Sequence, residues 1–131
     1  MCFFYAGDVL PNDAFSALKS NADSYLIDVR THQEWYDVGV PDISVCSKRI
    51  ILLSWKISRE VMNRNFISDL SNFVRSKDSS IYFLCRSGVR SAEAATAAAD
   101  SGYKNSYNIM PGFEGESTSW KSLNLPLKRI Y

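Results

Sequence analysis

The chain reads Ile81-Tyr82-Phe83-Leu84-Cys85-Arg86-Ser87-Gly88-Val89-Arg90-Ser91 through the stretch that decides its fold, and an alanine-rich run to Asp100 follows. Ile81 to Leu84 is a short apolar run of the kind that forms a buried strand. Cys85 to Arg90 is then a tight loop, and Ser91 to Asp100 a helix of high intrinsic propensity ending at Gly102. A strand, loop and helix in that order turn successive loop N–H groups inward. The first helical turn adds its unpaired N–H groups and the positive end of its dipole. A cysteine at the head of such a cradle is expected to be mostly thiolate near neutral pH, and therefore a nucleophile.

The flanking sequence repeats the alternation of strand and helix. Pro11-Asn12-Asp13 is a helix-start signal, and Ala14 to Lys19 suits a short helix with Phe15 and Leu18 on one face. Ser24 to Val29 reads as a strand and Ile50 to Leu53 as a second buried one. Thr31 to Glu34 begins a loop or short helix carrying Trp35 and Tyr36, and Gly39-Val40-Pro41-Asp42 breaks regular structure. Apolar residues from Val61 to Val74 fit a helical period over Ser58 to Arg75, with a possible break at Asn63-Arg64-Asn65. Tyr107 to Ile109 is a last short strand, Pro111 to Gly115 a loop and Trp120 to Leu123 a closing turn. This order predicts an α/β fold with a mostly parallel central sheet and helices on both faces. Ligands in such sheets sit beyond the carboxyl ends of the strands. Asp28-Val29-Arg30, Cys85 and the segment from Met110 each follow a strand, so they are expected at one edge.

Composition narrows the setting. The 131 residues fit one domain over 1–131, and 46% hydrophobic content supports a real core. A formal net charge of +1 gives no reason to expect nucleic acid or an anionic membrane as partner. The three cysteines, Cys2, Cys46 and Cys85, form no disulfide framework, and without a C-x-x-C and with one histidine a metal site is not expected. Residues 1–10 are expected to pack on the domain, and they lack the basic flank and long apolar run of a signal peptide. No apolar run approaches a membrane span. A reducing cytoplasm is the simplest home. Cys2 and Cys46 read as small buried hydrophobes.

Cys85 reads differently, because two arginines, a serine and a glycine follow it within five positions. Gly88 suits a sharp turn or close approach, and Arg86 and Arg90 mark a loop built for an anion. Cysteine phosphatases use a similar cradle with C-x5-R spacing, usually with a histidine before the cysteine. Here the spacing is C-x4-R and Leu84 precedes the cysteine. A ring one residue shorter suits a single added sulfur, a cysteine persulfide, better than a phosphoryl group.

On these residues the chain resembles a single-domain rhodanese, a sulfurtransferase with a three-layer α/β fold. The resemblance rests on Leu26-Ile27-Asp28-Val29-Arg30 with Glu34-Trp35, then Cys85 to Ser91, Asn108 to Gly115, and Trp120 with Leu125-Pro126-Leu127. It implies that Cys85 carries the sulfane sulfur. Arg86, Ser87, Gly88, Val89, Arg90 and Ser91 would bind the substrate, with Asp28 and Arg30 supporting them near the site. The two loop arginines favour thiosulfate over 3-mercaptopyruvate as donor. The implied partners are a small anionic sulfur donor and a thiol or protein acceptor, with no cofactor. The chain departs from the family pattern at Gly39 to Ile43, between Asp42 and Trp55, and at Glu116 to Ser119, which surround the mouth of the site. Two other readings compete: a partner-binding or redox-sensing module of the same fold, and a small phosphatase or arsenate reductase, disfavoured by loop length. Asp28 and Arg30 are expected to form a structural ion pair, Glu93 to face solvent and His32 to sit in an exposed loop. Trp35, Trp55, Phe113 and Trp120 are expected in the core or pocket wall.

Overall fold

Side-chain alternation along two central strands divides the core. The computed structural model describes residues 4–130, so Cys2 lies outside the described residues. Its main sheet has five strands: β1 (Gly7–Val9), β2 (Ser24–Asp28), β4 (Ile51–Leu52), β7 (Ser80–Leu84) and β8 (Ser106–Ile109). They lie in the order β1-β8-β7-β2-β4, and every pairing is parallel. Ile27, Ile81 and Phe83 face one layer, where they meet Phe66 and Leu70 of α3 (Phe66–Phe73) and Ala94, Ala95 and Ala98 of α4 (Val89–Asp100). Leu26, Tyr82 and Leu84 face the other, against Ala14 and Leu18 of α1 (Pro11–Ser20) together with Phe113 and Trp120. Each large side chain buried this way contributes about 1.5–3 kcal/mol. The expected α/β architecture with helices on both faces is what the chain adopts.

The remaining elements are short. Helix α2 (His32–Val38) starts on a capping box in which the Thr31 side chain accepts from the Glu34 N–H and Glu34 accepts from the Thr31 N–H. Strands β3 (Val40–Pro41) and β9 (Leu127–Lys128) pair antiparallel, as do β5 (Lys56–Ser58) and β6 (Val61–Met62).

The segment from Ser58 to Arg75 corrects the sequence reading. Its helix covers only Phe66–Phe73, and Val61 and Met62 lie on the exposed strand β6. The break falls where Asn63 Oδ1 accepts from the Asn65 N–H at 3.1 Å while its Nδ2 donates to the Ser54 carbonyl at 3.0 Å. An asparagine that bonds local backbone in this way competes with helix propagation. A second correction concerns Cys46, expected to be buried. It is half-exposed in a 3-10 turn, Ser44–Cys46. Helix α4 begins at Val89, two residues before the expected start at Ser91, and Gly102 follows its cap with φ of 102°.

Candidate active site

Cys85 continues the alternation of β7. With Ile81 and Phe83 it points into the layer that holds α4, so its side chain meets the start of that helix. Cys85 is 1% exposed, and its sulfur is ringed by polar groups: Gly88 N–H at 3.1 Å, Ser91 N–H at 3.3 Å and Ser91 Oγ at 3.2 Å. Two amides aimed at one sulfur stabilise negative charge there. Gly88 precedes α4 with φ of 105°, and a Cβ there would sit 1.9 Å from Met110 Sδ. Gly112 permits a second close approach. At φ of 94°, its Cβ would fall 2.7 Å from the Cys85 carbonyl oxygen and 2.6 Å from that of Arg86. The segment after β8 thus presses on the loop, and the Phe113 and Glu114 N–H groups donate to those two carbonyls at 2.9 and 3.0 Å.

The proton inventory around Ser91 is closed. Asn108 donates from Nδ2 to Asp8 Oδ1 at 3.1 Å and to the Gly88 carbonyl at 3.2 Å, which sets its amide orientation. Its Oδ1 accepts the Ser91 hydroxyl proton at 2.5 Å. A serine has one hydroxyl proton, so the Cys85–Ser91 contact in the thiol form has S–H donating to Ser91 Oγ. Tyr5 donates to Asp8 at 2.7 Å, extending the network to the surface.

Two ion pairs of the site are tight and a third is loose. Asp28 and Arg30 are fully buried, with Arg30 Nη2 donating to Asp28 Oδ2 and to the Gly39 carbonyl, each at 2.7 Å. The Arg30 guanidinium also lies 4.3 Å from the centre of the Phe113 ring. The expected ion pair is thus present at the end of β2, and it offers no exposed atom to a substrate. Arg90 is held by Glu34 through two bonds, of 2.6 and 2.9 Å. Burial alone would push the Glu34 carboxyl up. The Arg90 side chain and the Thr31 N–H outweigh it and hold the group at about 2. Arg90 is raised in turn, by its bond to Glu34 first and by the charges of Cys85 and Asp28 among lesser causes. Arg86 is the looser cation, exposed and 3.8 Å from Glu114.

Beside the loop lies a cavity of about 790 Å³ lined by residues from α2, β5 and the Cys85 loop. Its lining comprises Arg86 and Arg90, Lys56 to Arg59, and Thr31 to Glu34. His32, expected in a loop, is the exposed first residue of α2 and lines this cavity. Glu93 is exposed and accepts a 3.0 Å bond from Trp55 Nε1. Trp35, Phe113 and Trp120 are buried, and Trp55 packs edge-on against Phe66 with centroids 5.0 Å apart. Cys46 packs against the core layer opposite that of Cys85, and burial pushes its thiol up. Among the described residues no group of His, Cys, Asp and Glu could hold a metal ion, and no helix is long and apolar enough to cross a membrane.

Sequence reasoning did not single out Glu34 or Asn108 for the site. The T-x-x-E capping box is a signal for Glu34, since it fixes where that carboxylate points. For Asn108 the signal is weaker: an amide within a short buried strand needs partners.

A parallel sheet between two helical layers, with a cysteine loop leading into a helix at its edge, is a rhodanese-like fold. The rhodanese-like domain of the Anabaena protein Alr3790 matches it with a TM-score of 0.66 at 14% identity, over 98% of this chain and 81% of that one. The structure of Rv0390 from M. tuberculosis matches with a TM-score of 0.87 at 36% identity, covering 95% of this chain and 98% of its own. The polysulfide-sulfur transferase of Wolinella succinogenes matches with a TM-score of 0.69 at 26% identity, over 92% and 77%. The chain belongs to the family described as the STR4 middle domain, whose pattern matches residues 7–129. The protein RP600 of Rickettsia prowazekii is 41% identical over 122 residues, 91% of this chain and 94% of its own length.

Proposed function

We propose that the chain is a sulfurtransferase that carries a sulfane sulfur as a Cys85 persulfide, from thiosulfate or a similar small anion to a thiophilic acceptor. The observation that carries this reading is the convergence of the Gly88 and Ser91 N–H groups on Cys85 Sγ. The Cys85 thiolate attacks the outer sulfur of thiosulfate. The new S–S bond forms as the old one breaks, and sulfite leaves with the bonding electron pair. Arg86 meets the donor's charge at the cavity, and Arg90, tied to Glu34, holds the far end of the loop. Ser87, Gly88, Val89 and Ser91 complete the pocket, with Asp28 and Arg30 supporting it from beneath. The acceptor then attacks the outer sulfur and returns Cys85 as thiolate, a two-step exchange with ping-pong kinetics.

No metal or organic cofactor is called for, one domain over 1–131 suffices, and a reducing cytoplasm suits a free thiol. Likeness to the Wolinella polysulfide-sulfur transferase supports sulfur transfer and makes polysulfide a second donor to test. Incubation with thiosulfate is expected to add about 32 Da, one sulfur, to Cys85 by intact-mass and peptide analysis. Cys85→Ser is expected to remain folded, to take up no sulfur and to lose thiosulfate–cyanide turnover. Sulfur uptake by that variant, or none by the wild type from either donor, would refute the assignment.

A further inference from the structure

The cavity that Arg86 and Arg90 of the cysteine loop line is far larger than thiosulfate or cyanide requires. At about 790 Å³ it lies in the range, roughly 300–1,000 Å³, that encloses a drug-sized molecule. Its charge is one-sided. Lys56, Arg59, Arg86 and Arg90 line it against Glu34 alone, a surplus of three positive charges in a chain whose formal net charge is +1. The rest of the molecule is therefore net negative, and the positive charge is concentrated in a cavity that two arginines of the cysteine loop line. Glu34 is already committed to Arg90, Arg86 is held only loosely, 3.8 Å from Glu114, and among the described residues no ion pair holds Lys56 or Arg59.

Beside these cations lie exposed apolar side chains. Lys56, Ile57 and Ser58 line the cavity, and the β5–β6 register sets Met62 opposite Lys56 and Val61 opposite Ser58. Ile57, Val61 and Met62 are 59%, 52% and 39% exposed. Val61 and Met62 pair with the lining residues Ser58 and Lys56 but do not line the cavity themselves, so a small molecule confined within it leaves them uncovered. Clustered apolar residues ringed by charge mark a protein contact more often than a small-molecule site.

Resting on the sulfur-transfer reading, we infer that the β5–β6 hairpin and this cavity dock a protein thiol acceptor whose reactive cysteine lies in an acidic segment with apolar neighbours. The acceptor's carboxylates meet Lys56, Arg59 and Arg86, and its apolar side chains cover Ile57, Val61 and Met62. Its thiolate attacks the outer sulfur of the Cys85 persulfide. The acceptor gains the sulfur as its own persulfide, the Cys85 S–S bond breaks and Cys85 departs as thiolate, so charge and atoms balance.

Single-turnover transfer from sulfur-loaded protein to two synthetic cysteine peptides of equal length tests this. Both carry leucines beside the cysteine; one is flanked by aspartate and glutamate, the other by lysine. The acidic peptide is expected to react about ten-fold faster at low ionic strength, and added salt should shrink the gap. Lys56→Glu with Arg59→Glu is expected to reverse the preference, and Val61→Ser to slow the acidic peptide relative to cyanide. Equal rates for both peptides in protein that still passes sulfur to cyanide would overturn the docking surface alone. So would equal inhibition of acidic-peptide transfer by a single-stranded RNA of matched charge, which would show a field without a protein site. Failure to load sulfur from thiosulfate or polysulfide would overturn the underlying reading, and this one with it.

Discussion

Replacing Glu34 by glutamine removes one charge and keeps the shape of the side chain. The wild-type carboxylate accepts two bonds from Arg90, at 2.6 and 2.9 Å, and bonds from the Thr31 N–H and hydroxyl at 3.0 and 3.1 Å. These hold it at about 2, against an ordinary 4.5, although burial works in the opposite direction. The folded protein therefore takes up this proton less readily than the unfolded chain does. The resulting stabilisation is complete above the unfolded value and is lost as pH falls through about 2. That displacement corresponds to about 3 kcal/mol at pH 7 and about 1 kcal/mol at pH 3. Urea unfolding of wild type and Glu34→Gln, followed by circular dichroism, should therefore show a stability gap that narrows by about 2 kcal/mol between pH 7 and pH 3. Other carboxylates titrate in both proteins and largely cancel in the difference. A gap that stays constant over this range would refute the claim that the Glu34–Arg90 bond ties α2 to α4 electrostatically.

Asp28→Asn leaves the Arg30 charge buried without its counter-ion. It is expected to cost about 3–5 kcal/mol in urea unfolding, far more than loss of an exposed pair such as Lys104–Asp78. Gly112→Ala forces a Cβ to within 2.7 Å of the Cys85 carbonyl oxygen at a left-handed φ. It should lower stability by about 2 kcal/mol or more and slow sulfur loading of Cys85, measured by intact mass against time.

The two central strands and the cysteine loop were legible because each is local. The apolar run at Ile81–Leu84, the loop residues and the alanine helix sit side by side in the chain. One edge of the sheet was less legible. Strand β1 has three residues, too few for a period to register, and it pairs only with β8, whereas β4 on the other edge falls within the apolar run Ile50 to Leu53 that reads as a strand. The hairpin of β5 and β6 was hidden for a different reason: Val61, Met62, Phe66 and Leu70 share a helical spacing that Asn63 interrupts with its own backbone bonds. Within the site, the cysteine and its glycine could be read from order. The pairing of Glu34 with Arg90 could not, because 56 residues separate them and only the packing of α2 beside the loop brings them together.

The sulfur's address is a matter of parity. Residues 81, 83 and 85 look to one side of the sheet and 82 and 84 to the other. One residue added or removed within β7 would leave the loop motif intact letter for letter, yet rotate its thiol by half a turn. It would then turn toward the opposite core layer, which holds Phe113 and Trp120, and away from the Gly88 and Ser91 N–H groups. Homologous chains can thus keep the whole motif and still fall silent through a single frame slip upstream, a lesion that no inspection of the motif would detect.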